Sequence, residues 1–108
     1  MKILLDECVP KDFCRSFSEY ECQAARRAGF GSKTNGELFA AAEMAGFNVL
    51  ITVDKNIPYQ QNFSGRKLSL MILLTRSNDL SSLLPHAAAC IRALRSIKPG
   101  EVVRIGAE

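Results

Sequence analysis

Asn48-Val49-Leu50-Ile51-Thr52-Val53-Asp54 is a largely apolar, β-branched run closed by a carboxylate. A strand with one face in water alternates apolar and polar residues, whereas a strand covered on both faces does not. The run therefore predicts a buried strand of a parallel sheet. Lys2-Ile3-Leu4-Leu5-Asp6 and Leu68 to Leu74 have the same character. Around them the spacing turns helical. Pro10 suits a first helical turn, and Phe13, Cys14 and Phe17 form an apolar face, which predicts a helix over residues 10–19. Thr34 and Glu37 fit a capping box, Leu38, Ala41, Ala42 and Ala45 form one stripe, and Gly46 ends it. Pro85 opens a long helix with Ala87, Ile91, Leu94 and Ile97 inward and Arg92 and Arg95 outward, stopped by Pro99-Gly100. Glu21 to Ala25 reads as either a short strand or a helix. Val102 to Ile105 reads as an edge strand.

Buried strands alternating with amphipathic helices imply an α/β fold, a mainly parallel sheet covered by helices. At 108 residues the chain fits a single domain, 1–108. With 47% hydrophobic and 23% charged residues it has the composition of a packed globule, which argues against disorder. No stretch approaches the roughly 18 apolar residues of a membrane span. The opening Met1-Lys2-Ile3-Leu4-Leu5 is interrupted by Asp6 and Glu7 before a secretory leader could form, so the expected location is cytoplasmic, with no membrane partner. Cys8, Cys14, Cys22 and Cys90 form no CxxC pair and no zinc spacing with His86, which favours reduced thiols. The formal charge of +3 permits a nucleic-acid or acidic protein partner and demands neither.

In open parallel sheets, ligands bind outside the carboxyl ends of the strands. Asp6 ends the first strand and Asp54 ends the Val49–Val53 strand, so both carboxylates belong at that edge if the strands are neighbours. Glu37, in the first turn of its helix, would point toward the same edge. Three converging carboxylates repel one another, and a hard divalent cation such as Mg²⁺ or Mn²⁺ relieves the repulsion. Such a site can cut phosphodiesters. Each acid also has a plainer role. Glu37 can complete its capping box, Asp54 can close a strand or turn, and Asp6 can cap the helix near Pro10.

Ile3-Leu4-Leu5-Asp6-Glu7, Asn35-Gly36-Glu37-Leu38 and Thr52-Val53-Asp54-Lys55-Asn56 resemble the compact PIN-like domains, including a toxin-like group in bacteria. Tyr59-Gln60-Gln61-Asn62 and Ile97-Lys98-Pro99-Gly100-Glu101 are similar to that group as well. The resemblance implies a PIN-like three-layer sandwich and a Mg²⁺- or Mn²⁺-dependent ribonuclease, often the toxin of a toxin–antitoxin pair. It places catalytic and metal-binding roles on Asp6, Glu37 and Asp54. Larger PIN domains carry a fourth acidic or polar group after the next strand. Here that stretch is Thr75-Arg76-Ser77-Asn78-Asp79, so Asn78 or Asp79 are the candidates, with the cation Arg76 beside them. RNA is the implied substrate, and an antitoxin protein and a second copy of the chain are further candidate partners.

Lys55, Asn56 and Arg76 fall beyond strand carboxyl ends, where they could meet substrate phosphates, and Gln60, Gln61 and Asn62 offer uncharged amides for phosphate or base edges. His86 has no companion residues of a triad or zinc site, which favours a structural role. Two rival readings carry different chemistry. One is a non-catalytic PIN-like domain that binds RNA or protein. The other is a phosphoacceptor receiver domain built on Asp6-Glu7, Asp54, Thr75 and Lys98-Pro99. The short interval from Asp54 to Thr75 has no room for the extra helix and strand a receiver needs.

Overall fold

The computed structural model describes residues 1–31, 33–57 and 62–106. Five strands form one all-parallel sheet: β1 (Lys2–Leu5), β2 (Glu21–Ala24), β3 (Val49–Thr52), β4 (Ser69–Leu73) and β5 (Val102–Ile105). Their spatial order is β2-β1-β3-β4-β5. The three apolar runs are adjacent central strands, as their lack of alternation requires, and Glu21–Ala24 resolves as a strand on one edge.

Successive side chains of a strand point to opposite faces, and the core divides accordingly. Ile3, Leu5, Val49, Ile51, Met71 and Leu73 share one buried cluster with Phe13, Phe17, Leu83, Cys90 and Leu94. Leu4, Leu50, Leu70 and Ile72 share the other with Leu38, Phe39, Ala42, Phe47 and Phe63. Helices therefore cover both faces, giving three layers. At ~1.5–3 kcal/mol for each large apolar side chain fully buried, these two clusters are the main source of stability.

One face is covered by a 3-10 helix (Lys11–Phe17), followed later in the chain by α2 (Leu80–Leu83), a 3-10 turn (Leu84–His86) and α3 (Ala87–Leu94). The segment expected to be α-helical at 10–19 is thus tighter. Phe13 and Phe17 both face inward with rings edge to face at 5.1 Å. The last helical run begins at Leu80 rather than Pro85. The proline sits in the 3-10 turn, because it cannot donate the backbone bond an α-helix interior needs. Arg92 and Arg95 are exposed, as their spacing indicated.

α1 (Asn35–Met44) covers the other face. Its buried residues are Leu38, Phe39 and Ala42, while Ala45 is exposed, so the stripe is rotated toward Phe39. Beyond the helix, Lys2 Nζ donates to Ala45 O at 2.8 Å. That contact puts the C-terminal end of α1 at the amino edge of the sheet, and hence Glu37, at the start of α1, toward the carboxyl edge. Among the described residues no helix is long and apolar enough to cross a membrane.

Candidate functional site at the carboxyl edge of β1 and β3

In this strand order the chain leaves β1 toward one side, to β2, and continues from β3 toward the other. The crevice at such a reversal is where open α/β sheets place their ligands. Leu5 pairs with Ile51 in the β1–β3 register, and Asp6 N donates to Ile51 O at 2.9 Å. The ladder therefore runs one step past β1 and sets Asp6 level with Thr52.

Thr52 has no solvent exposure, yet its hydroxyl is fully used. Oγ1 donates to Asp6 Oδ2 at 2.8 Å and accepts from Asp54 N at 3.0 Å. Cys8 Sγ lies 3.5 Å from the same hydroxyl and 3.7 Å from Asp6 Oδ2. Burial, above all, raises the Cys8 thiol from its ordinary value, while the hydrogen bond with Thr52 opposes that rise. The opposite Asp6 oxygen, Oδ1, accepts from Glu7 N at 2.9 Å. Asp54 Oδ1 accepts from Asn56 N at 3.0 Å, folding the turn after β3 back on its own carboxylate. A threonine inside an apolar strand, two positions before an aspartate, was the signal in the sequence for this bridge.

The other expected site residues are placed as follows. Glu37 Oε1 accepts from Thr34 N at 2.9 Å and from Thr34 Oγ1 at 2.8 Å, and Glu37 N donates back to Thr34 Oγ1 at 3.3 Å. The capping box is complete, and those hydrogen bonds, the backbone one first, lower the Glu37 pKa. Asn78 Nδ2 donates to Cys8 O at 2.8 Å, which ties the loop after β4 to the loop after β1. Asp79 is held by hydroxyls instead. Ser77, Ser81 and Ser82 all donate to its carboxylate, and they bring its pKa down to about 2. Asn62 Oδ1 accepts from Ser64 N at 2.9 Å, a local turn contact. Lys55, Asn56 and Arg76 are exposed. Gln60 and Gln61 lie outside the described residues.

Among the described residues, no three Asp, Glu, His or Cys side chains gather into a metal-holding group. Thr52 links the Asp6 carboxylate to the Asp54 backbone, the Asp54 carboxylate is folded onto its own turn, and Glu37 is turned back on its own helix. Mg²⁺ needs only one or two carboxylates when waters and substrate phosphates complete its shell. An ionised carboxylate offers about four lone-pair sites, so Asp6 and Asp54 keep acceptor capacity beyond the contacts above. The Asp6 carboxylate beside a buried hydroxyl, with the Asp54 carboxylate at the end of the neighbouring strand, offers the oxygen donors a hard divalent cation takes.

Lys98 lies at the opposite end of the sheet. Its carbonyl accepts from Ser69 Oγ, at the first residue of β4, and Lys98 N donates to Glu101 Oε1. A receiver domain needs its lysine beside the aspartates, so the Lys98-Pro99 pair does not complete that constellation. His86 packs on Gly106, where an added Cβ would lie 2.9 Å from its ring, in keeping with a structural role. The chain matches no protein-family model, no curated protein and no solved structure.

Proposed function

We propose that the chain is a Mg²⁺- or Mn²⁺-dependent ribonuclease of PIN-like type, acting in the cytoplasm, with Asp6 and Asp54 as its central carboxylates. The observation that carries this reading is the Thr52 bridge, which fixes Asp6 against the backbone of Asp54 at the reversal of strand order. A bound divalent cation would polarise a phosphoryl oxygen and acidify a water. Asp6 and Asp54 would hold that cation. Thr52 keeps Asp6 oriented by donating to one oxygen, and the carboxylate keeps acceptor capacity beyond that bond and the one from Glu7 N. A carboxylate not engaged as a ligand can accept the proton of the attacking water. Lys55 and Arg76, exposed beyond β3 and β4, can meet the phosphates on either side. A role as the toxin partner of an antitoxin protein, or as a homodimer, belongs to the same proposal and follows from the resemblance alone.

The test is RNA degradation by purified protein with Mg²⁺ or Mn²⁺, with EDTA, and with Asp6→Asn. The reading predicts cleavage that EDTA and Asp6→Asn each abolish. Cleavage that persists in both would trace to a contaminant, and no cleavage under any condition would leave a binding domain as the better account. One observation favours that second reading: Glu37, the third expected acid, is engaged by Thr34. Metal-independent RNA binding without cleavage would support it.

A further inference from the structure

A groove beside β2 adjoins the candidate site. It consists of two cavities of about 480 Å³ and about 420 Å³ that share Lys11, Ala24 and Arg27 in their walls. Arg15 completes the basic lining of the larger cavity, and Arg26 that of the smaller. Asp6 and Glu7 line the smaller one too, so the groove reaches Asp6 from the β2 side. The backbone fixes this arrangement. Ala25 N donates to Leu5 O, Ala25 is fully buried, and Ala28 N donates to Ala24 O, which turns the chain sharply after β2. With Ala25 held inward, Arg26 and Arg27 are exposed on the turn. Across from them Phe13 and Phe17 point into the core, leaving Lys11 and Arg15 exposed on the 3-10 helix.

We propose that this groove holds the phosphate backbone of single-stranded RNA and leads the strand to Asp6, an inference that rests on the ribonuclease reading. The larger cavity sets three cations against the single carboxylate Asp12. In the smaller one the opposing acids are Asp6 and Glu7, and Asp6 is the carboxylate a divalent cation would neutralise. A cationic groove that tracks a backbone is how sequence-tolerant single-strand binding works. An A-form duplex instead presents a wide, shallow minor groove and is read across its surface. Gln23, in the wall of the larger cavity, adds an uncharged amide able to meet a base edge.

The experiment measures anisotropy of a short fluorescent oligouridylate in EDTA, so that cleavage does not interfere, across a salt series. Wild type is compared with Lys11→Gln/Arg27→Gln and with Arg92→Gln/Arg95→Gln, a charge-matched control at the C-terminal end of α3. Each phosphate contact to a single strand contributes about 0.7 to the slope of log K against log salt. The groove variant should lose about 1.4 from that slope and bind at least tenfold more weakly near 0.1 M salt, by the same relation. The control should bind like wild type. Bound oligonucleotide should also slow alkylation of Cys14, which lines the larger cavity, in wild type but not in the groove variant. An unchanged slope in the groove variant, or an equal loss in the control, overturns the groove. A groove-dependent slope in a protein that never cleaves RNA keeps the groove and rejects the nuclease. EDTA-sensitive cleavage with groove variants that bind and cut like wild type does the reverse.

Discussion

Thr52 Oγ1 donates to Asp6 Oδ2 at 2.8 Å from a position sealed from solvent, and the same oxygen accepts the Asp54 backbone N–H at 3.0 Å. One hydroxyl thus ties the ends of β1 and β3 together. Thr52→Val keeps the shape and removes the oxygen. It leaves the Asp54 N–H and one Asp6 lone pair without that partner, and an unsatisfied buried group costs about 1–3 kcal/mol. Thr52→Val should therefore lower the urea midpoint with an unchanged m-value, and lower any metal-dependent cleavage further than stability alone explains. Thr52→Ser should restore much of both. A Thr52→Val protein as stable as wild type would show that the hydroxyl does not hold the edge together.

Asp54→Asn separates a metal ligand from a structural residue. Asparagine retains an oxygen to accept from Asn56 N, so the turn after β3 should survive. A shared metal site would hold the Asp6 and Asp54 charges close, and removing one would reduce their repulsion, so without metal the variant should melt at or slightly above the wild-type temperature. With Mn²⁺ the wild type should gain stability by mass action and the variant should gain less. Melting curves with and without Mn²⁺ decide it. A variant that melts lower in EDTA and responds equally to Mn²⁺ would make Asp54 structural.

Much of this was legible in the sequence because burial on both faces leaves a distinct mark. Val49 to Thr52, Lys2 to Leu5 and Ser69 to Leu73 carry almost no alternation, and they are the three central strands. Edge strand β2 was ambiguous because its exposed and partly buried residues alternate over only four positions. The 3-10 geometry of Lys11–Phe17 left no mark, since Phe13 and Phe17 suit either helix. Within the site, the meeting of the β1 and β3 ends followed from strand order, whereas the direction of a carboxylate did not. Glu37 was expected to point to that edge, but Thr34, three residues earlier, supplies a hydroxyl and an N–H that hold its carboxylate in the capping box.

Glu37→Gln tests that competition. Glutamine can still accept from Thr34, as the capping box allows, so α1 should still form, with a slightly lower melting temperature than wild type near neutral pH. The Glu37 pKa is depressed in the folded protein. Its contribution is therefore present above the ordinary carboxylate range and lost as pH falls through the lowered value. Wild type and Glu37→Gln should converge in melting temperature as pH drops toward that range. If RNA cleavage vanishes in Glu37→Gln while the fold holds, Glu37 leaves its cap to serve the site. If cleavage persists, the cap is its whole role.

Glu43 links α1 to the start of β4. Its Oε1 pairs with Arg66 Nη1 at 2.6 Å, and Oε2 accepts from Lys67 N at 2.9 Å and Leu68 N at 3.4 Å. The Arg66 guanidinium also sits 5.6 Å from the Phe39 ring centroid and 5.9 Å from that of Phe63. Burial pushes the Glu43 pKa up, yet the hydrogen bonds from Lys67 N, Arg66 and Leu68 N outweigh it and the net shift is downward. Stabilisation is thus present above the unfolded carboxylate pKa and fades as pH falls through the folded one. Glu43→Gln should cost about 1–2 kcal/mol at pH 7, the scale of a partly exposed charge-assisted hydrogen bond. Urea titrations at pH 7 and near pH 3 should show that difference shrinking, and equal losses at both would assign it to packing.

The four free thiols should react in a defined order. Cys14 and Cys22 are hydrogen-bonded to each other between the 3-10 helix and β2, and the Cys22 thiol lowers the Cys14 pKa while its own is raised. Burial pushes Cys90 up to about 12 and also raises Cys8. The thiolate is the nucleophile. At pH 7 Cys14 therefore has the largest reactive fraction, and raising the pH toward 9 should accelerate the others relative to it. Iodoacetamide labelling followed by peptide mass mapping should find Cys14 first and Cys90 last. Labelling of Cys22 ahead of Cys14 would reverse the direction of their hydrogen bond, with Cys14 as the donor. Labelling of Cys90 at a comparable rate would mean that α3 opens from the sheet far more often than its buried Cys90 and Leu94 imply.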